Sequence, residues 1–250
     1  MNKIFTSILK MSQNELLDYT YLQLKKRKYK NIIYNSNYIY AEGNIPIMLI
    51  AHLDTVYNSP PINILYDPKF KVAWSPEGIG GDDRCGVFAI LNIIKEYKPH
   101  ILFTTEEEKG GIGASYAGYE LPCPNVNFLI ELDRKGRNEA VFYDCGNKDF
   151  QEYITNFGYE KDLGTFSDIS IISPLWDIAS VNLSIGYYNE HCKNEYICIN
   201  HLNESIGKIK NILEDNNQIY YDYQDEYKEY ANYPVIYDEW WEEELEESEE

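Results

Sequence analysis

Three apolar runs limit what this chain can fold into. They are "IPIMLIAH" (45–52), "HILFTT" (100–105) and "NVNFLIELD" (125–133). Each is too short for an ordinary helix and nearly unbroken in aliphatic residues, as central strands are when both of their faces are covered. Between the first two lies "VFAILNIIKEY" (87–97), where Val87, Ile90, Leu91 and Ile94 recur at helical spacing. "GGIGASYAG" (110–118) opens another helix between the second and third. Strands alternating with amphipathic helices predict a three-layer α/β/α sandwich around a mixed, largely parallel central sheet.

The flanking segments fit the same plan. Residues around 13–27 read as a helix, capped by Ser12 or Asn14, with Leu16, Leu17, Tyr21 and Leu24 on one face. "NIIYN" and "YIYAEG" read as strands, and "INILYD" with "FKVAWS" as a hairpin. "EAVFYD" and "ASVNLSIGY" supply later strands, with helices near 148–157 and 202–215. A single domain is expected over residues 1–220. Residues 221–250, rich in Tyr, Asp and Glu, are expected to form a mobile acidic tail.

Charge narrows the partners. The net charge of −19 opposes binding to nucleic acid or anionic membranes. Nine acidic residues and no basic one fall within 238–250, so much of that charge says nothing about the active surface. The basic run "KKRKYK" (25–30) reads as the solvated end of a helix, where lysines favour the negative dipole, ahead of a nucleic-acid patch. No run reaches the roughly 18 apolar residues of a membrane span, and the first residues lack the pattern of a signal peptide. Five cysteines without paired spacing predict reduced thiols and a cytoplasmic setting.

In open α/β sheets the functional crevice lies beyond the carboxyl ends of the strands. At those ends stand His52 and Asp54, then Asp82 and Asp83, then Glu106, Glu107 and Glu108, then Glu131 and Asp133, and finally His191. Taken singly, each has an ordinary explanation: a structural histidine, an aspartate turn or cap, glutamates at the positive end of a helix. Together they bring carboxylates and imidazoles to five successive loops. Such a set suits Zn²⁺, with Mn²⁺ or Co²⁺ as substitutes. Two ions sharing a bridging carboxylate would balance the negative charge better than one.

The motifs resemble those of the co-catalytic zinc exopeptidases, the clan of the M20, M28 and M42 peptidase families. "AHLDTV" is similar to their H-x-D motif, and "GGDDRCG" to the segment carrying the bridging aspartate. "EEKGGIGA" resembles E-E-x-G-x-x-G-A, "FLIELD" the strand ending in a carboxylate ligand, and "YYNEH" the late histidine. The resemblance implies two Zn²⁺ ions held by His52, Asp82, Glu108, Asp133 and His191, with Asp82 as the bridge. Glu131 remains a rival to Asp133, since strand alternation points both to the same side. Asp54 would orient His52, and Glu107 would be the general base, leaving Glu106 outside the pair. The short stretches from Asp54 to Asp82 and from Asp133 to His191 leave no room for the inserted domains of M42 or M20 members. The plan is therefore closest to M28.

The resemblance also implies that Ser167 and Asp168 of "GTFSDIS", and Tyr188 and Asn189 beside Tyr187, line the substrate cleft. His100, His201 and Cys192 are expected to bind no metal. The implied activity is that of a di-zinc metallohydrolase cleaving peptide or related amide bonds, as an aminopeptidase, through a metal-bridged hydroxide. An acidic pocket favours a free α-amino group on the substrate. Alternatives are an N-acyl amino acid deacylase, a cyclotransferase-like enzyme on the same site, or a non-catalytic metal-binding protein acting through its tail.

Overall fold

The computed structural model describes residues 1–226. Its main sheet contains β1 (Lys30–Tyr34), β2 (Tyr38–Glu42), β3 (Ile45–His52), β6 (Pro99–Thr104), β7 (Phe128–Arg134), β8 (Glu139–Val141), β9 (Glu160–Asp162) and β10 (Ser180–Ser184). The order is β1-β2-β6-β3-β7-β10-β8-β9. The centre, β6-β3-β7-β10, is parallel, whereas β1, β2 and β8 join antiparallel at the flanks. The fold is thus the expected mixed α/β sheet with a parallel heart. A second, four-stranded antiparallel sheet comprises β4 (Leu65–Asp67), β5 (Val72–Trp74), β11 (Tyr187–Tyr188) and β12 (Tyr196–Cys198). Only its β4–β5 hairpin was expected from sequence.

Helices cover both faces, and strand alternation assigns residues to each. On β3, Ile47, Leu49 and Ala51 pack in the larger core. That core also takes residues of α1 (Lys3–Leu9), α2 (Gln13–Lys26), α3 (Gly81–Ile93), α5 (Lys148–Thr155) and α7 (Ile199–Glu214). Met48 and Ile50, one position out of phase, pack in the smaller core with α4 (Ile112–Glu120) and α6 (Asp168–Trp176). Leu102 and Leu129 share this second face. Towards the carboxyl ends of the strands the same face turns polar. His52 follows Ile50, Thr104 follows Leu102, Glu131 and Asp133 follow Leu129, and all but Asp133 are fully buried.

Local signals explain the ends of the helices. Ser12 caps α2 in a reciprocal box with Glu15, and Lys25 and Lys26 occupy its last turn, where their charge favours the dipole. The hairpin, the first long helix and the helix after the aspartate loop all lie where sequence places them. Residues 221–226, expected to start the tail, instead belong to the domain. Tyr221 is buried, donates its N–H to Asn127 and accepts from Ala179, and Asp222 and Asp225 bridge to Ile178 and Cys145. The remainder of the expected tail, 227–250, lies outside the described residues. Among the described residues no helix is long and apolar enough to cross a membrane.

Candidate metal centre

The polar strand ends converge. His52 is fully buried at the end of β3. Its Nε2 lies 2.9 Å from Asp82 Oδ1, 3.4 Å from Asp133 Oδ1 and 4.0 Å from Glu107 Oε2. The other oxygen of Asp82 faces a second imidazole, with Oδ2 3.2 Å from His191 Nε2. Glu108 Oε2 lies 3.1 Å from that same nitrogen. One carboxylate therefore stands between two histidines, with Asp133 beside the first and Glu108 beside the second.

Asp54 organises this cluster from behind. Its Oδ1 meets His52 Nδ1 at 3.1 Å, which fixes the ring and leaves Nε2 facing the centre. The two oxygens of Asp54 also accept the backbone N–H groups of Glu107 (3.0 Å) and Glu108 (3.1 Å). The glutamates sit on a single 3₁₀ turn that ends at Gly110, whose φ of +90° suits glycine. Glu106 leaves the site: Gln13 donates to it at 2.8 Å and Lys109 pairs with it. The three glutamates thus divide, Glu107 and Glu108 towards the two histidines and Glu106 away from them.

The electrostatics are those of a site built for cations. Burial, then the neighbouring carboxylates, pushes Asp133 and Asp83 well above the usual carboxylate range. Glu107 rises to about 8 through burial and the charges of Asp168, Asp82 and Glu108. Burial alone would lower His52, but Asp133, Asp54 and Asp82 raise it well above its ordinary value. Hydrogen bonds to Asp82 and Glu108 lift His191 to about 10. Asp54 is held low despite its burial, by His52 and the two N–H groups. Arg84, buried nearby, directs its donors at the carbonyl oxygens of Leu53 and Met11.

The residues fit a divalent metal. Ligand atoms of His52, Asp83 and Asp133, of His52, Glu107 and Glu108, and of Asp82, Glu108 and His191 form three groups, each within 4.8 Å. Glu108 Oε1 and Asp83 Oδ2 are buried without a hydrogen-bond partner. Such orphaned oxygens are costly in a finished interior and are expected where a cation belongs. Imidazoles with carboxylates are the borderline donor set that zinc takes. Asp83 competes for the His52 side, yet its Oδ1 already accepts the Gly86 N–H at 2.8 Å.

Not every expected residue reaches the cleft. Ser167 and Asp168 are fully buried. The Ser167 hydroxyl donates to Glu131, and Asp168 accepts from Thr104. They form a layer behind the site rather than a surface for substrate. Glu131 is thereby engaged, whereas Asp133 faces His52. Tyr188 turns away, its hydroxyl 2.6 Å from His201 Nδ1 and its ring stacked on Tyr196. Asn189 is exposed and bonds within its own loop, to Asn194. Tyr187 points inward instead, its hydroxyl 3.2 Å from Asp133 Oδ1. Sequence reasoning also passed over Asn182 and Glu195. Asn182 braces the Asp133 backbone from both sides, at 2.9 and 3.1 Å, and an amide inside the apolar run "ASVNLSIG" was a readable signal. Glu195, in a polar loop, carried none.

A cavity of about 450 Å³ adjoins the centre through Asp54 and Glu108. Leu9, Ser12 and Gln13 wall it on one side and Val56 and Pro60 on another.

This sheet is that of the co-catalytic zinc exopeptidase clan. Residues 33–165 match the profile of Peptidase family M28, and the chain belongs to that family. It is a metal-dependent exopeptidase. The fold is shared with a tripeptidase from Staphylococcus aureus, at 15% identity and TM-score 0.70, covering 84% of this chain and 96% of that one. Aminopeptidase PepT from Bacillus cereus aligns over the same shares, at 12% identity and TM-score 0.70. A Zn-dependent exopeptidase from Parabacteroides distasonis aligns at 16% identity and TM-score 0.54, over 80% of this chain and 88% of its own. No curated protein sequence matches the chain.

Proposed function

We propose that the chain is an aminopeptidase that works with two zinc ions. The observation that carries this reading is the Asp82 carboxylate, with one oxygen on His52 and the other on His191. His52, Asp82 and Asp133 would hold one ion, and Asp82, Glu108 and His191 the other. When bound, zinc supplies Lewis acidity towards the scissile carbonyl and makes a water acidic enough to react near neutral pH.

The protein's own groups do the rest. Glu107, buried beside the cluster, takes the proton from the attacking water and returns it to the leaving amine. Asp54 keeps His52 oriented and aims the backbone of Glu107 and Glu108 into the site. Tyr187 steadies Asp133 by donating to it. Ser167, Asp168 and Thr104 keep water from the rear of the cleft. The adjoining cavity, of about 450 Å³, suits a few residues of peptide, and the carboxylates of Asp54 and Glu108 on its wall favour a substrate with a free ammonium group.

The test is hydrolysis of an aminoacyl amide beside its N-acetylated form, with zinc added and then chelated. Cleavage of the free amine is expected to exceed that of the blocked form by at least about 100-fold, and to stop with chelator. Preference for the acetylated substrate would replace this reading with an N-acyl amino acid deacylase.

A further inference from the structure

Glu195 lies four residues beyond His191 and outside the ligand set, yet it is fully buried. Its carboxylate collects donors from two other loops. Oε1 accepts the Asp82 N–H at 3.0 Å. Oε2 accepts the Gly80 N–H at 2.9 Å and lies 3.2 Å from the Tyr57 hydroxyl. That hydroxyl is also 2.8 Å from the carbonyl of Cys192, whose oxygen accepts the Glu195 N–H at 2.9 Å. Three loops therefore meet on one side chain: the one after β3, the one bearing Asp82 and the one bearing His191.

The backbone around this carboxylate is shaped to approach it. Gly80 has a φ of +67°, which glycine adopts freely. A Cβ on Gly81 would stand 2.7 Å from Tyr187 Cβ and 3.0 Å from Glu195 Oε1. A carboxylate removed from water is unfavourable unless its lone pairs are met, and an apolar side chain would fill the same space without that demand. The arrangement makes sense if the direction of the acceptors matters.

We propose that Glu195 is a positioning residue for the shared ligand, resting on the two-ion reading above. It fixes the backbone of Asp82 and the His191 loop in one frame, so that the two oxygens of Asp82 face His52 and His191 at once. Tyr57 completes the frame by holding Glu195 and Cys192 together.

Competitive zinc titration of the full chain against a chromophoric chelator, with thermal melts in EDTA, tests this. Glu195→Gln keeps the shape but offers only one acceptor oxygen. It is expected to weaken zinc binding by about 10–100-fold, the range for partners that orient metal ligands. Tyr57→Phe should shift zinc binding in the same direction by less, and it carries the test should the Gln variant fail to fold. A purely structural role would lower the EDTA melt and leave zinc affinity within about twofold of wild type in both variants, and that result would overturn the proposal. The titration needs no substrate. A wild type that binds zinc but cleaves no peptide would reject the aminopeptidase reading and still decide the role of Glu195.

Discussion

Glu107→Gln is expected to lower kcat by about 10²–10⁴-fold with zinc content and KM nearly unchanged. Glutamine keeps the volume and one hydrogen-bonding oxygen of the side chain, and it cannot carry a proton between water and the leaving amine. The site shows why Glu107 suits that task. Its Oε2 is 4.0 Å from His52 Nε2, close to the centre but beyond the distances of Asp82 and Asp133. In the metal-free chain burial and the charges of Asp168, Asp82 and Glu108 raise its affinity for a proton. Steady-state kinetics with metal analysis of the same sample check the prediction. Activity within tenfold of wild type would remove Glu107 from the mechanism. Loss of zinc would instead make it a ligand, a role the grouping with His52 and Glu108 makes accessible.

Removing zinc is expected to lower the melting temperature by about 10 °C near pH 8, and by much less near pH 5.5. A ligand at 1,000 times its Kd stabilises by about 4 kcal/mol, and a chain of this size shifts by about 2–4 °C per kcal/mol. The pH dependence follows from the metal-free site. Asp168, Glu195 and Glu107 are raised to about 6, 7 and 8, and burial holds Asp83, Glu131 and Asp133 well above the usual carboxylate range. His191 is raised to about 10, and His52 is raised too. All of these groups hold protons in the folded metal-free chain that the unfolded chain has already released. Their contribution is therefore present at low pH and is lost as pH climbs through these raised values, starting from about 4 for the carboxylates and about 6.5 for the histidines. Asp54 and Asp82, held low, act in the opposite sense, but only below about pH 4. Zinc takes the place of the protons on its own ligands and removes their share of the slope, so the gap between loaded and stripped protein widens with pH. Melts with zinc and with EDTA at pH 5.5, 6.5 and 8 measure it. A gap that is constant across this range, or that narrows with pH, would contradict the account.

Much of the centre was legible in sequence because its residues stand where strands stop. His52, Thr104, Glu131 and Asp133 continue the alternation of apolar runs, so their common face follows from the pleat. What strand alternation left open was the choice between Glu131 and Asp133. Tertiary partners separate the two side chains: Ser167 engages Glu131, whereas Asp133 faces His52. The same partners draw Ser167 and Asp168 inward, which no local pattern in "GTFSDIS" announces. Tyr187 and Tyr188 were not separable in advance, since β11 has two residues and offers no period to read. The β11–β12 half of the small antiparallel sheet escaped for a similar reason. Its strands are two or three residues long, and they form because β12 pairs with β5 across the chain rather than through their own propensity. β9, with the sequence Glu-Lys-Asp and fully exposed, gave no apolar signal at all. Glu195 is the clearest case of a residue defined by its donors, all contributed by other loops or their turns.

Anomalous scattering at the zinc edge from crystals grown with zinc would put the central claim to its most direct test. The account predicts two peaks about 3.5–4 Å apart with Asp82 between them, one against His52 and Asp133 and the other against Glu108 and His191. A single peak, or a second one that Asp82 does not touch, would contradict it.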